Sequence, residues 1–528
     1  MTDEKTGKIV DLAEMKKVID EAAAQEMKQF EPTPPPREKE GADPLNSKEV
    51  IYGLQSNEDG DAYLYNISHT YRFIYDHAAG TWHEWQGDYW AEDETGQAGY
   101  AINYVIDGYG READRQGKKE LKLTKAKATQ EVITECQKTR KELLKRIRLL
   151  QTAARKRNVL FLATLANGLT GREWDKNPWL LGCENGVVEL KTGKLRPGKQ
   201  EDYIKTVAPA ECKGLEQEAP IWNKFLKDTF NGDQDLVDYL QRLLGYGITG
   251  LKREHVLPIL WGRGRNGKGT FLETIKYVLG PLAHKCKAEI LLDTGRFKPS
   301  GSADADTLAF RGKRIIFAAE TSERSRLNTG KIKERAGGDT LNARAPYGRR
   351  PIEFEPTHLL LLMTNNKPQI PAADYATWQR IHLIPFTLSF IDKPDTKKNE
   401  RLADKKLPEK LKKEAPGILA WLIKGCLSWQ EKGLNPPESV IQATKKYQKE
   451  MDFISQWIDE KCIIDNNARM RAGEGYKSYR LWCEDLGHKL YSGTRFGKDM
   501  KERFDWEKST YVFYIGIGLK TTEKMIEY

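Results

Sequence analysis

The residues best suited to chemistry lie in "GRGRNGKGT", Gly262 to Thr270. Glycines at this spacing let backbone N–H groups curl around phosphates, and the positive end of a following helix adds to the attraction. Lys268 then reaches the β- and γ-phosphates of a nucleoside triphosphate. Gly262, Gly264, Asn266, Gly267, Gly269 and Thr270 complete the predicted cradle. One position departs from the usual pattern: Gly269 stands where a Ser or Thr hydroxyl would bind Mg²⁺, with Thr270 one residue later. Either Thr270 supplies that oxygen or water completes the shell, since Mg²⁺ keeps several waters. Glu320 ends "FRGKRIIFAAE" and can share the metal with Thr270 or polarise water. Asn365, just past the apolar run of "THLLLLMTNN", can set water against the γ-phosphate. Arg380, in "WQRIHLIPF", can neutralise charge that develops in a transition state; taken singly, it is a surface charge.

Such residues act only if regular elements hold them. "HVLPILW" predicts a buried strand leading into the glycine loop, and "TFLETIKYVLG" an amphipathic helix leaving it. Arg314 to Ala319 and Leu359 to Met363 predict two more buried strands, each ending at one of the polar residues above. Between them, "GGDTLNARAPYGRRPIEFEP" predicts a hairpin with a basic, aromatic tip at Tyr347, Arg349 and Arg350. Asp304 and Asp306, ahead of the first of these two strands, form a DxD pair, which we read as a helix-start signal. "IWNKFLKDTFNGDQDLVDYLQRLLGYGITG" predicts two helices ahead of the first strand.

Upstream, "EPTPPPREKEGADP" has the composition of a linker, and residues 1–49 are expected to be poorly ordered. "YRFIYDHAAGTWHEWQGDYWAED" predicts short strands around tight turns. Its Trp82, Trp85 and Trp90 suit either base stacking or a small core, the core being the favoured reading. Residues 118–158 turn helical and basic, with an apolar stripe at Leu143, Leu144, Ile147 and Leu150 and a solvated face around it. "LGCENGVVELKTGKLRP" predicts a hairpin built on Asn185-Gly186 and Thr192-Gly193 turns. The tail predicts three helical stretches and then an alternating strand, "STYVFYIGIGLK", which is the order of a winged helix.

Seven scattered cysteines without a CxxC pair argue against a disulfide framework and a zinc ribbon. No apolar run is long enough to span a bilayer and no signal-peptide core is evident, so the expected compartment is the cytoplasm. The net charge of +10 leans weakly towards a polyanionic partner.

Taken together, the motifs resemble those of superfamily 3 helicases, in the phage and plasmid P4-like or poxvirus D5-like group. "GRGRNGKGT" is similar to the group's Walker A loop, "DADTLAFRGKRIIFAAE" to its Walker B segment and "KIKERAGGDTLNARAPYGRR" to its B′ segment. "LLLLMTNNKP" resembles motif C, and "WQRIHLIPF" the segment with the arginine finger. The resemblance implies an α/β fold with an AAA+-like P-loop ATPase core, an N-terminal α+β accessory domain and a C-terminal winged helix. The expected boundaries are a disordered 1–49, an accessory domain at 50–215, the ATPase at 216–405, a helical connector at 406–436 and the winged helix at 437–528.

It further implies an ATP-dependent replicative DNA helicase of a phage, plasmid or other mobile element, acting in a bacterial host. The cofactors would be ATP and Mg²⁺, and the partners single-stranded or forked DNA and a separate primase or origin-binding protein. Copies of the chain would form a ring, commonly a hexamer, away from any membrane. By position, Lys268 would bind phosphate, Glu320 serve Mg²⁺ and water, Asn365 act as polar sensor and Arg380 as the finger supplied in trans. Lys333, Arg344, Tyr347, Arg349 and Arg350 would grip DNA in the channel. Arg495, Lys498, Lys501 and Arg503 would lie near phosphates from the winged helix, whose helix Ser492 or Thr494 would cap. The alternative is a DNA-binding initiator whose ATPase is an assembly switch with little unwinding.

Overall fold

The computed structural model describes residues 45–293, 304–319, 325–344, 352–372, 374–395, 399–488 and 490–520. Glu320, Tyr347, Arg349 and Arg350 lie outside the described residues, as does the predicted linker before residue 45. Two compact units emerge, one of residues 45–176 with 198–205, the other of 177–197 with 206–520.

In the first unit, helices α1 (Ser47–Gln55), α2 (Asn57–His69), α3 (Ile102–Lys125), α4 (Gln130–Leu150) and α5 (Ala153–Ala166) surround a small sheet. Its strands are β1 (Phe73–Asp76), β2 (Thr81–Trp85), β3 (Trp90–Glu92) and β4 (Gly168–Leu169), in the order β3-β2-β1-β4. Asn46 and Glu49 form a reciprocal cap at the start of α1. The tryptophans serve the core: Trp90 is buried, Trp85 packs on it at 5.2 Å, and Trp82 meets Tyr65 and Tyr75 edge-on. Leu143 and Leu150 face inward as the helical period predicts, whereas Leu144 is exposed.

Two arginines of the basic segment also point inward. The Asp61 carboxylate is fully buried and accepts from Arg146 Nη1 at 2.9 Å, Arg155 Nη2 at 2.6 Å and the Tyr109 hydroxyl at 2.6 Å. A carboxylate so far from water persists only when its lone pairs are filled in this way.

The second unit opens with β5 (Leu180–Cys183), β6 (Gly186–Glu189), β7 (Lys194–Arg196) and β8 (Val207–Ala208), the first three antiparallel around the two predicted Gly turns. Helices α6 (Pro220–Thr229) and α7 (Gln234–Gly247) follow, as expected from their apolar period. The central sheet then forms from β9 (Leu257–Trp261), β10 (Ala283–Lys287), β11 (Ile315–Ala319), β14 (Leu359–Thr364) and β15 (Ile381–Pro385). Its order is β10-β11-β14-β9-β15, and every neighbouring pair is parallel.

A parallel sheet buries both faces, which explains the unbroken apolar runs. Leu260, Ile315, Phe317, Leu359, Leu361 and Ile384 enter one core, while Ile259, Ile316, Leu360, Leu362 and Leu383 enter the core on the other side. The chain between these strands forms α8 (Lys268–Leu279), α9 (Thr329–Ala336) and the predicted hairpin, β12 (Leu341–Ala343) with β13 (Ile352–Phe354). Asp304 caps a short helix at 305–308 by accepting from the Thr307 N–H, so the DxD pair marks a helix start.

Helices α10 (Leu407–Lys413) and α11 (Ala415–Lys432) return to the sheet. Glu414 accepts from the Ile221 and Trp222 N–H groups at 3.0 and 2.9 Å and so caps α6. Where α7 crosses α11 the backbones almost touch: a Cβ on Gly245 would stand 2.1 Å from the Cys426 nitrogen.

The tail is built from α12 (Glu438–Glu450), α13 (Phe453–Lys461), β16 (Cys462–Arg471), α14 (Ala472–Leu486), α15 (Gly493–Arg503), β17 (Trp506–Lys508) and β18 (Val512–Leu519). This differs from the expected three helices and one strand. The first helical stretch breaks at Asp452, which caps α13 through the Ser455 N–H at 3.0 Å. The polar run "IIDNNARMR" is a strand, paired with β18 in the antiparallel order β16-β18-β17.

Candidate functional site

In an open parallel sheet, ligands bind beyond the carboxyl ends of the strands, where the connections diverge to the two sides. Here that point is β9: the chain leaves it towards β10 on one side, and later passes from β14 across it to β15 on the other. The glycine loop sits there. Gly262 permits no side chain, because a Cβ would lie 2.3 Å from the Phe386 carbonyl oxygen and 2.4 Å from Asn266 Nδ2. Gly267, at φ +85°, turns the chain into α8. No side chain caps that helix, which leaves its first N–H groups to an anion.

Lys268 is buried and donates to the Gly262 carbonyl at 2.5 Å and to Asn266 Oδ1 at 3.0 Å. Asn266 is fixed in turn, its Nδ2 donating to the Phe386 carbonyl at 3.3 Å, so its oxygen must face the lysine. Burial penalises the ammonium and pushes the Lys268 pKa down to about 8. The loop is also held from outside, where the Phe390 N–H donates to the Arg265 carbonyl at 2.6 Å. Sequence reasoning missed this buttress from residues 386–390, since only backbone atoms of Phe386 and Phe390 take part.

Asn365 follows β14 immediately and joins Lys268, Thr270 and Thr364 around one cleft of about 390 Å³. The Gly262 N–H and the Thr364 carbonyl, 3.4 Å apart, bring the two strand ends together. Gly264, Asn266, Gly267 and Gly269 line the same cleft. A groove of about 770 Å³ adjoins it along α8, shares Gly269 and Thr270, and is walled by Pro209, Tyr277, Pro408 and Lys412.

Arg380 stands elsewhere. It precedes β15, whose Ile381 pairs with Leu257 at the start of β9, so it lies at the opposite edge of the sheet from the loop. The five residues of β9 separate the edges by roughly 16 Å. The side chain is half-buried, donates to the Ala376 carbonyl at 2.6 Å, and keeps Nε without a partner among the described residues.

The predicted nucleic-acid residues divide. Lys333 lies on α9 rather than on the hairpin, and pairs with Asp374 at 3.1 Å. Arg344 follows β12 and is half-buried. On α15, capped by Ser492, Lys498 is exposed, with Glu502 3.8 Å away. Arg495 lies 4.1 Å from the Tyr491 ring centre and Lys501 4.0 Å from that of Trp506. Arg503 is engaged internally, with both Asp452 oxygens (2.9 and 3.0 Å) and the Ser455 hydroxyl.

A further residue went unnoticed in the sequence. Lys367, two positions after Asn365, pairs with Glu450 at the end of α12 at 2.6 Å and lies 4.3 Å from the ring centre of Trp261, the last residue of β9. The Tyr447 hydroxyl donates to the Pro368 carbonyl, and the Thr444 hydroxyl accepts from the Leu383 N–H at 2.9 Å. The tail's first helix is thus fastened to the loop that carries Asn365.

Two family models match the chain: "D5 N terminal like" over residues 62–231, and a "Family of unknown function (DUF5906)" over 260–380. "Putative helicase L207/L206" of Acanthamoeba polyphaga mimivirus is 31% identical over 325 residues, 59% of this chain and 33% of that protein. "Putative primase C962R" of African swine fever virus (isolate Tick/Malawi/Lil 20-1/1983) is 27% identical over 229 residues, 42% of this chain and 23% of that protein. These matches fit a D5-like primase-helicase family, with the D5-like N-terminal match at residues 62–231.

The chain spans about a third of the mimivirus protein's length and about a quarter of the African swine fever virus protein's. They come from viruses of eukaryotes, which gives no support to a bacterial host. Among solved structures, the C-terminal region of NrS-1 (305–718) aligns at 12% identity and a TM-score of 0.34, over 65% of this chain and all of that one, too low a score to carry a fold assignment. All seven cysteines are free, and no helix among the described residues is long and apolar enough to cross a membrane. The described residues also hold no cluster of three or more His, Cys, Asp or Glu able to bind a metal.

Proposed function

We propose that this chain is an ATP-dependent nucleic-acid helicase with an AAA+-like P-loop core and a winged-helix tail, working as a ring. One observation carries the reading: Lys268 and Asn365 line a single cleft at one edge of the sheet, while Arg380 lies at the other edge. A chain so arranged can complete its site only with the arginine of a neighbour, as head-to-tail packing into a ring would allow.

In this reading Lys268 exchanges the Gly262 carbonyl and Asn266 Oδ1 for phosphate oxygens, helped by the free N–H groups at the start of α8. The adjoining groove along α8 takes the nucleoside. Asn365 orients the attacking water, and the neighbour's Arg380 offsets charge on the transferring phosphoryl group. A bound Mg²⁺, held by Thr270 and Glu320, would neutralise part of the charge on the phosphates. The residues suit it, since Mg²⁺ at phosphates needs only one or two protein oxygens. Thr270 is half-buried in the cleft wall, no atom stands within 4 Å of a Cβ built on Gly269, and Glu320 is the proposed second ligand.

Mixing Lys268→Ala with Arg380→Ala tests the shared site. Each variant alone should be inactive. In random rings about a quarter of the sites would regain both an intact lysine and a neighbour's arginine, and turnover should recover accordingly. No recovery at any ratio would defeat the shared-site reading.

A further inference from the structure

The tail's first helix presents two contrasting faces. Val440, Tyr447 and Met451 turn inward, and the helix is pinned to β15 by Thr444 and to the Pro368 carbonyl by Tyr447. The outward face carries Gln442, Lys445, Lys446 and Lys449, all exposed. With Asp452 and Arg503 these line a groove of about 450 Å³.

Nearby carboxylates do not neutralise the lysines. Glu450 is taken by Lys367, and both oxygens of Asp452 are taken by Arg503. No ion pair among the described residues involves Lys445, Lys446 or Lys449. Like charges one turn apart destabilise a helix, which a bound polyanion would relieve.

We infer that this groove is a docking track for the phosphate backbone of nucleic acid, distinct from the outward face of α15. The lining favours phosphates over an acidic peptide: its only apolar member is Ala372, so it lacks the pockets that peptide side chains need as anchors. Point charges and the amide of Gln448 can grip a backbone but cannot read bases. Because α12 is also fastened to the loop bearing Asn365, the track lies where nucleotide and nucleic acid can influence one another.

This inference rests on the proposed nucleic-acid partner, and the test separates the two. Binding of a fluorescent 30-nucleotide oligothymidine to the full chain is measured across salt concentrations, for wild type, the Lys445→Ala/Lys446→Ala/Lys449→Ala variant and the matching Arg variant. The slope of log K against log salt should fall in magnitude by about two for the Ala variant, with roughly tenfold or more weakening at 0.1 M salt. The Arg variant should keep the wild-type slope, and ATP turnover without nucleic acid should be unchanged in both. An unaltered slope in the Ala variant overturns the track. Lost binding to polyglutamate with retained oligothymidine binding overturns it in favour of an acidic protein partner. Wild type that binds no oligothymidine at all would remove the proposed function as well.

Discussion

On the proposed function, burial of Lys268 makes nucleotide binding a proton-linked event. With its pKa pushed down to about 8, the free site holds about half a proton on this lysine at pH 8 and about 0.9 at pH 7. Phosphate oxygens favour the ammonium and raise the pKa of the complex. Binding must therefore take up about half a proton at pH 8, about 0.9 at pH 9 and only about 0.1 at pH 7. The sign follows: a group protonated more fully in the complex makes affinity fall as pH rises. The fall approaches tenfold per pH unit above 8, up to the pKa of the complex. Titration calorimetry in two buffers of different ionisation enthalpy reads the uptake directly. Terminal phosphate groups titrate near pH 6, so they contribute little at pH 8. Lys268→Arg keeps its charge at every accessible pH and should abolish the uptake. Binding without proton uptake at pH 8 and 9, or equal uptake in the Arg variant, would refute the placement of phosphates at Lys268.

Gly269→Ser should fold and turn over ATP, because nothing crowds a Cβ there, and a hydroxyl should lower the Mg²⁺ concentration needed for half-maximal activity several-fold; an unchanged requirement would mean the position is not near the metal. Gly245→Ala, by contrast, drives a Cβ into the Cys426 backbone and should cost about 1–3 kcal/mol or more, seen as a lower melting temperature; an unshifted transition would contradict the close crossing. Asp61→Ala strands Arg146 and Arg155 without their buried carboxylate and should destabilise the first unit by about 3–5 kcal/mol in denaturant unfolding. A change below about 1 kcal/mol would show that water reaches this cluster.

Legibility in the sequence followed burial. Strands β9, β11 and β14 are buried on both faces, so they stood out as apolar runs, and the glycine loop declared itself by residue type. The caps at Asp304 and Ser492 were legible because an N-cap is a local hydrogen bond. By contrast β16 was hidden: most of its residues are exposed, and it is a strand only because β18 pairs with it. Arg503 and Lys333 looked like free charges because nothing local reveals Asp452 and Asp374 as their partners. Arg146 and Arg155 were hidden likewise, since Asp61 lies far away in the chain. The link from Lys367 to Glu450 joins positions 83 apart, beyond the reach of any periodicity.

The most direct test of the central claim measures strand separation and ATP hydrolysis on one preparation, with a forked DNA duplex. The account predicts duplex opening that keeps pace with ATP turnover and is lost in both Lys268→Ala and Arg380→Ala. Normal ATP turnover with no opening on any fork would contradict it and leave an ATP-dependent assembly switch in its place.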